Sequence, residues 1–217
     1  MTVIRKQDVI SSVADALQYI SYYHPLDFVQ ALEKAYHREE SQAAKDAIAQ
    51  ILINSRMSAE GHRPICQDTG IVTCFVNIGM GVQWDSTDMT VQQMVDEGVR
   101  QAYTNPDNPL RASVLMDPAG KRINTKDNTP AVVHINMVPG DKVEIQIAAK
   151  GGGSENKTKM VMLNPSDDIA EWVEKTLPTM GAGWCPPGML GIGIGGTAEK
   201  AAVLAKESLM EHIDIQE

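Results

Sequence analysis

The order of apolar and polar positions divides the 217-residue chain into a helical first part and a mixed second part. From Lys6 to Tyr22 the residues Val9, Ile10, Val13, Leu17 and Ile20 recur at the spacing of one helix face, with Asp8 as the expected N-cap. Pro25 is placed to open a second helix through about Arg38, with Leu26, Val29, Leu32 and Ala35 on one side. Ser41 is placed to cap a third helix that ends near Met57. Residues 1–60 are therefore expected to form a helical region.

The texture then changes. Gly70 to Ile78 concentrates Val, Ile, Thr and Phe and reads as a strand. Thr90 to Tyr103 reads as a helix with Val91, Met94, Val95 and Val99 facing inward, and Asn105 to Pro130 as loop. Ala131 to Val138 and Lys142 to Ala149 read as two strands, and Pro139-Gly140-Asp141 between them predicts a hairpin. Asp167 to Leu177 reads as helix and Met189 to Gly196 as a short, glycine-rich strand. Thr197 is expected to cap a last helix to about Met210. Helices followed by mixed strands and helices predict an α+β fold: a helical region over 1–60, then a small mixed sheet flanked by helices within 61–217.

Composition narrows the function. The chain is 43% hydrophobic and 22% charged, which suits an ordinary globular core. A net charge of −9 argues against nucleic acid, whose phosphates need a basic face. No run of about twenty apolar residues predicts a membrane span, and no basic start followed by an apolar stretch predicts a leader. Cys66, Cys74 and Cys185 are too few, and odd in number, for a disulfide framework. They suit a reducing compartment, and a cytoplasmic location is expected.

Three loops carry more chemistry than turns require. Pro64-Ile65-Cys66-Gln67-Asp68-Thr69-Gly70 offers a thiol, an amide, a carboxyl and a hydroxyl just before a strand. The plainer reading is a turn, with Asp68 as turn former and Cys66 as a small buried residue. Lys150-Gly151-Gly152-Gly153-Ser154-Glu155-Asn156-Lys157-Thr158 exposes backbone N–H groups between two lysines. It approaches a phosphate-binding loop, but Asn156 replaces a glycine and Pro165 arrives before a long helix could form. It reads as an anion cradle, or else as a flexible surface loop. Gly183-Trp184-Cys185-Pro186-Pro187-Gly188 stiffens the chain after a thiol. The glycines at 191, 193 and 196 satisfy the dinucleotide pattern without its following strand, so close packing or backbone approach to a ligand explains them better.

The cysteines do not form one site by spacing. A strand from Gly70 would separate Cys66 and Cys74 by on the order of 20 Å, at ~3.3 Å per residue. Cys74 then reads as a buried strand residue, leaving Cys66 and Cys185. An iron–sulfur cluster site usually needs about four cysteine ligands.

Cys66-Gln67-Asp68-Thr69-Gly70, the 150–158 loop, Cys185-Pro186-Pro187 and Ile194-Gly195-Gly196-Thr197-Ala198-Glu199 together resemble the amino-terminal catalytic domain of class I fumarases, over nearly the whole chain. The wider family includes tartrate dehydratases. The resemblance implies reversible hydration of fumarate to malate on a 4Fe-4S cluster held by three cysteines, with one iron position open to substrate. Cys66 and Cys185 match two of those ligands. The third belongs to a segment this chain does not reach, and Cys74 is not at a ligand position. Gln67 and Asp68 match substrate-contacting positions, with Asp68 a candidate acid/base group. Arg111, in Pro109-Leu110-Arg111-Ala112-Ser113, matches an arginine that binds a substrate carboxylate; without the resemblance it reads as a solvated loop residue. Gly151, Gly152 and Gly153 match the backbone-contact loop, Gly153 most closely.

The resemblance also implies a small dicarboxylate substrate, a carboxy-terminal domain or second subunit that completes the pocket, and a homodimer. On this reading the chain is a truncated piece, inactive alone. Rival expectations are tartrate as substrate, a nucleotide-binding module built on the 150–158 or 191–196 glycines, and a non-catalytic assembly domain that dimerises through its first helices.

Overall fold

A computed structural model describes residues 2–185 and 187–213. They divide into two compact units, residues 2–150 with 212–213 and residues 151–211.

The first unit begins with β1 (Thr2–Ile4), α1 (Lys6–Tyr22), α2 (Leu26–Arg38) and α3 (Gln42–Gly61). Arg5, not Asp8, is the N-cap of α1. Asp8 lies in the first turn, where its carboxylate accepts from Arg5 Nε and Nη2 at 2.8 Å each. A carboxylate is favoured there by the helix N-terminus whether or not it caps. Pro25 precedes α2 as its extended N-cap, and Ser41 caps α3 by accepting from Ala44 N. α3 runs past Met57 to Gly61, and His62 then turns left-handed at φ 47°.

The chain continues through β2 (Ile71–Gly79), β3 (Val82–Trp84) and α4 (Val91–Tyr103). Thr90 closes a capping box with Gln93 at the start of α4. Next come the short strands β4 (Leu115–Met116) and β5 (Ile123–Asn124), then β6 (Val132–Val138) and β7 (Val143–Lys150). β1 pairs with β3 in parallel, and β4 with β5 antiparallel.

The main sheet has the order β6-β2-β7, parallel between β2 and β6 and antiparallel between β2 and β7. Cys74 sits opposite Val133 on one side and Ile147 on the other. The predicted β6–β7 hairpin therefore does not form: both strands pair with β2 instead. The connecting turn crosses the end of β2, whose Gly79 N donates to Lys142 O and Met80 N to Val138 O. β2 is the most apolar and most buried strand, and a hairpin between the other two would leave it at an edge.

Val72, Cys74, Val76 and Ile78 alternate along β2 and join the core with Val13 and Leu17 of α1 and Val95, Val99, Ala102 and Tyr103 of α4. Each such apolar side chain contributes about 1.5–3 kcal/mol on burial. In α2 only Leu32 is buried, and Leu26 is exposed.

The second unit contains α5 (Gly152–Glu155), α6 (Ile169–Thr176) and α7 (Ala198–Ser208), with 3-10 turns at Leu177–Met180 and Ala182–Trp184. Asp168 caps α6 by accepting from Glu171 N at 3.0 Å. The predicted strand over 189–196 is absent among the described residues; that segment is irregular. Thr197 precedes α7 as expected, but its hydroxyl donates to Glu199 Oε1 at 2.7 Å and accepts no backbone N–H. The architecture is α+β, small mixed sheets flanked by helices. No described helix is long and apolar enough to cross a membrane.

Candidate active site

The Cys66 loop of the first unit is fixed before it begins. Ile65 N donates to Ser21 O at the end of α1, and Asn54 Nδ2 on α3 donates to Ile65 O, both at 2.8 Å. Cys66 is then exposed. Its Sγ donates to Gln67 Oε1 at 3.2 Å and accepts from Asp68 N at 3.5 Å. Asp68 is half-buried, and its Oδ1 accepts from Gly70 N at 3.1 Å, the bond of an Asx turn. Gly70 completes the turn at φ 85°, where a Cβ would lie 2.6 Å from the backbone carbon of Ala149. Only glycine fits this combination of left-handed backbone and close approach to β7.

Thr69 joins this loop to Arg111. Its Oγ1 accepts from Arg111 N at 2.8 Å and donates to Arg111 O at 2.9 Å. Arg111 itself is exposed, and among the described residues its guanidinium forms no ion pair. Cys66, Gln67, Asp68 and Arg111 thus belong to two loops held together by one threonine.

Two buried residues support the junction. Tyr103 Oη donates to Thr69 O at 2.6 Å and lies 3.1 Å from Gly70 O. Burial pushes its phenol well above the usual range, so it stays a neutral donor. Asn128 is fully buried at φ 63°. Its Nδ2 donates to Gly70 O at 3.0 Å, and its Oδ1 accepts from Ser113 N at 2.7 Å and Val114 N at 3.2 Å. The neighbouring Asp127 carboxyl loses solvation, but bonds from Thr129 and Arg100 outweigh that loss and hold its pKa below the usual value. Sequence reasoning counted the Thr69 hydroxyl among the groups of its loop without giving it a tie to Arg111, and missed Tyr103 and Asn128. The available signal was a hydroxyl at the end of an apolar helix face and an Asn within a turn-forming run.

Cys74 is the core residue expected from its strand. It is fully buried, and desolvation, with the negative charge of Asp96 adding to it, raises its thiol to about 12. It is unsuited to holding a metal as a thiolate.

In the second unit, Gly151 leads into α5, a single turn and not the long helix of a nucleotide loop. A Cβ on Gly153 would lie 2.9 Å from Gly183 O, and Ser154 Oγ donates to Trp184 O at 3.4 Å. The glycine loop therefore packs on the turn that presents Cys185. Cys185 is exposed and left-handed at φ 61°, with its N–H donating to Ala182 O at 3.0 Å. Pro186, expected to stiffen this turn, lies outside the described residues. Lys206 of α7 pairs with Glu155 of α5. A Cβ on Gly191 or Gly193 would lie 2.0 Å from Ala205 O or Ala201 O, so this glycine run serves close packing on α7.

The candidate residues are thus distributed: Cys66, Gln67, Asp68 and Arg111 in the first unit, Gly151, Gly152, Gly153 and Cys185 in the second. Among the described residues no three His, Cys, Asp or Glu side chains gather as a metal site.

The profile of the fumarate hydratase (Fumerase) family matches residues 10–217, and the chain belongs to that family. It is 34% identical over 207 residues to the "Putative L(+)-tartrate dehydratase subunit alpha" of Methanocaldococcus jannaschii, covering 93% of this chain and 72% of the relative. It is 28% identical over 206 residues to the L(+)-tartrate dehydratase subunit alpha of Escherichia coli K12, covering 93% of this chain and 66% of that subunit.

Proposed function

We propose that this chain is the amino-terminal catalytic part of an iron–sulfur hydro-lyase that reversibly hydrates fumarate to malate. The observation that carries the reading is the junction in the first unit, where Thr69 ties an exposed thiol and its neighbouring carboxyl to an exposed arginine. A second reading, dehydration of L(+)-tartrate, is favoured by the names of the two relatives. Both substrates are four-carbon dicarboxylates and need the same groups.

The residues present suit a 4Fe-4S cluster. Cys66 and Cys185 are exposed, the soft thiol donors such a cluster takes, and Cys74 is excluded by burial. Cys66 and Cys185 would hold the cluster, with a third cysteine from outside residues 1–217. When bound, the cluster supplies a Lewis acid for the substrate hydroxyl and one carboxylate.

The chain's own residues do the rest. The Arg111 guanidinium pairs with a substrate carboxylate in two places through its planar fork. The Gln67 amide donates to a substrate oxygen. The Asp68 carboxyl takes or returns a proton as water leaves or adds. The backbone N–H groups of Gly151, Gly152 and Gly153 offset charge on the dicarboxylate. A carboxy-terminal domain or second subunit completes the pocket, the latter suggested by the word alpha in the relatives' names, and the protein is a homodimer in a reducing cytoplasm.

The test is anaerobic iron–sulfide reconstitution of this chain with a candidate second subunit, scored by cluster absorbance and by turnover of fumarate, malate and L(+)-tartrate. Cluster and turnover that are lost together in Cys66→Ser and Cys185→Ser support the reading. A wild-type cluster retained in both variants refutes the ligand assignment, and turnover of neither substrate pair refutes the function.

A further inference from the structure

We propose that Thr69 is a positioning residue that sets the Arg111 guanidinium relative to Cys66 and Asp68, with Tyr103 and Asn128 holding the junction from inside the first unit. The inference rests on the proposed function for its substrate but on the geometry of the first unit for its substance.

A threonine hydroxyl has one proton to donate and lone pairs to accept with. Thr69 spends its proton on Arg111 O and accepts from Arg111 N, so both backbone groups of one residue are bound by one side chain. That pattern resembles a rung of an antiparallel ladder, made by a side chain where no strand pairing exists. It prevents the Arg111 segment from sliding along the Cys66 loop or rotating away from it.

A second link runs parallel to the first. Asn128 joins Gly70 O to Ser113 N and Val114 N, on the far side of Arg111 from residue 110. Tyr103 bonds the carbonyls of Thr69 and Gly70. The side chains of Cys66 and Arg111 are both exposed. Leu110, beside Arg111, is buried in the core and anchors that segment, and the polar links tie it directly to the Cys66 loop. A site that must grip a short dicarboxylate tolerates little slack.

The experiment compares Cys66 alkylation by iodoacetate, which carries a carboxylate, with alkylation by neutral iodoacetamide, on the full chain without cluster. Cys185 serves as internal reference. A positioned Arg111 accelerates the anionic reagent at Cys66. In Thr69→Val the anionic-to-neutral rate ratio at Cys66 is expected to fall about fivefold, as in Arg111→Gln, because a local guanidinium no longer steers the carboxylate. Thr69→Ser, which keeps the hydroxyl, retains the ratio, and circular dichroism identifies the folded variants to be compared. In the reconstituted enzyme Thr69→Val raises KM by about tenfold with a smaller change in kcat, and Thr69→Ser does not. A ratio unchanged in Thr69→Val, or an equal fall in Thr69→Ser, overturns the proposal. A ratio that falls as expected in a protein with no hydro-lyase turnover upholds the positioning role and refutes the proposed function alone.

Discussion

Asn128 donates to the carbonyl oxygen of Gly70 across 3.0 Å, from a position with no solvent exposure and a left-handed backbone. Its amide oxygen takes two further N–H groups, from Ser113 and Val114. Removing the side chain leaves these buried groups without their partner and keeps the backbone in a conformation alanine disfavours. Asn128→Ala is expected to cost about 2–3 kcal/mol of stability, measured by denaturant unfolding. A loss below about 0.5 kcal/mol would mean that the junction does not depend on this amide.

Arg111 is predicted to govern substrate affinity. Arg111→Ala should raise KM for the dicarboxylate about 100-fold, and Arg111→Lys about tenfold, because lysine keeps the charge and loses the fork. Steady-state kinetics of the reconstituted enzyme decide this. Equal effects of the two substitutions would point to charge alone.

The three thiols should differ sharply. At neutral pH Cys66 and Cys185 react with an aromatic disulfide reagent in the native chain, and Cys74 only after unfolding. The folded Cys74 thiol, raised from 9.0 to about 12, keeps a proton that the unfolded chain releases. Its contribution to stability is therefore full below pH 9.0 and is lost as pH rises toward about 12. The Tyr103 phenol shifts with the same sign. Cys74→Ala should flatten the alkaline limb of the stability curve; an unchanged limb would assign it to other groups.

Gly193 is predicted to be a packing residue. A Cβ there would lie 2.0 Å from Ala201 O, so Gly193→Val must displace α7 from its own unit. A cost of about 3 kcal/mol or more is expected, at the upper end of overpacking. Calorimetry of the variant measures it. Saturable nucleotide binding by the wild-type chain, lost in Gly193→Val without a change in stability, would revive the dinucleotide reading.

Elements with a local cause were legible from sequence. Capping at Ser41 placed α3, and the spacing of Met94, Val95 and Val99 placed α4, because both signals act within a few residues. Cys74 was legible as buried because it stands in a strand rich in Val, Ile and Phe. The β6–β7 connection was misread because Pro139-Gly140-Asp141 has hairpin chemistry, whereas its partner β2 lies some sixty residues earlier in the chain. The 189–196 segment was misread because an apolar, glycine-rich run cannot reveal whether it meets a strand or a helix. The candidate site residues were named through their resemblance to a family; the polar junction behind them was not legible, since Tyr103 and Asn128 lie far from Thr69 in sequence and are unremarkable in type.

The β4–β5 pair lies between Arg111 and Asn128, and both ends of this excursion are fastened to the Cys66 loop. Its apolar side chains Leu115, Met116 and Ile123 are exposed. Lengthening the turn between the two strands adds only slowly growing closure entropy, because the fastened ends bear the constraint. This turn is thus a natural insertion point, where an epitope tag or a fluorescent reporter could be grafted without disturbing the Thr69–Arg111 junction.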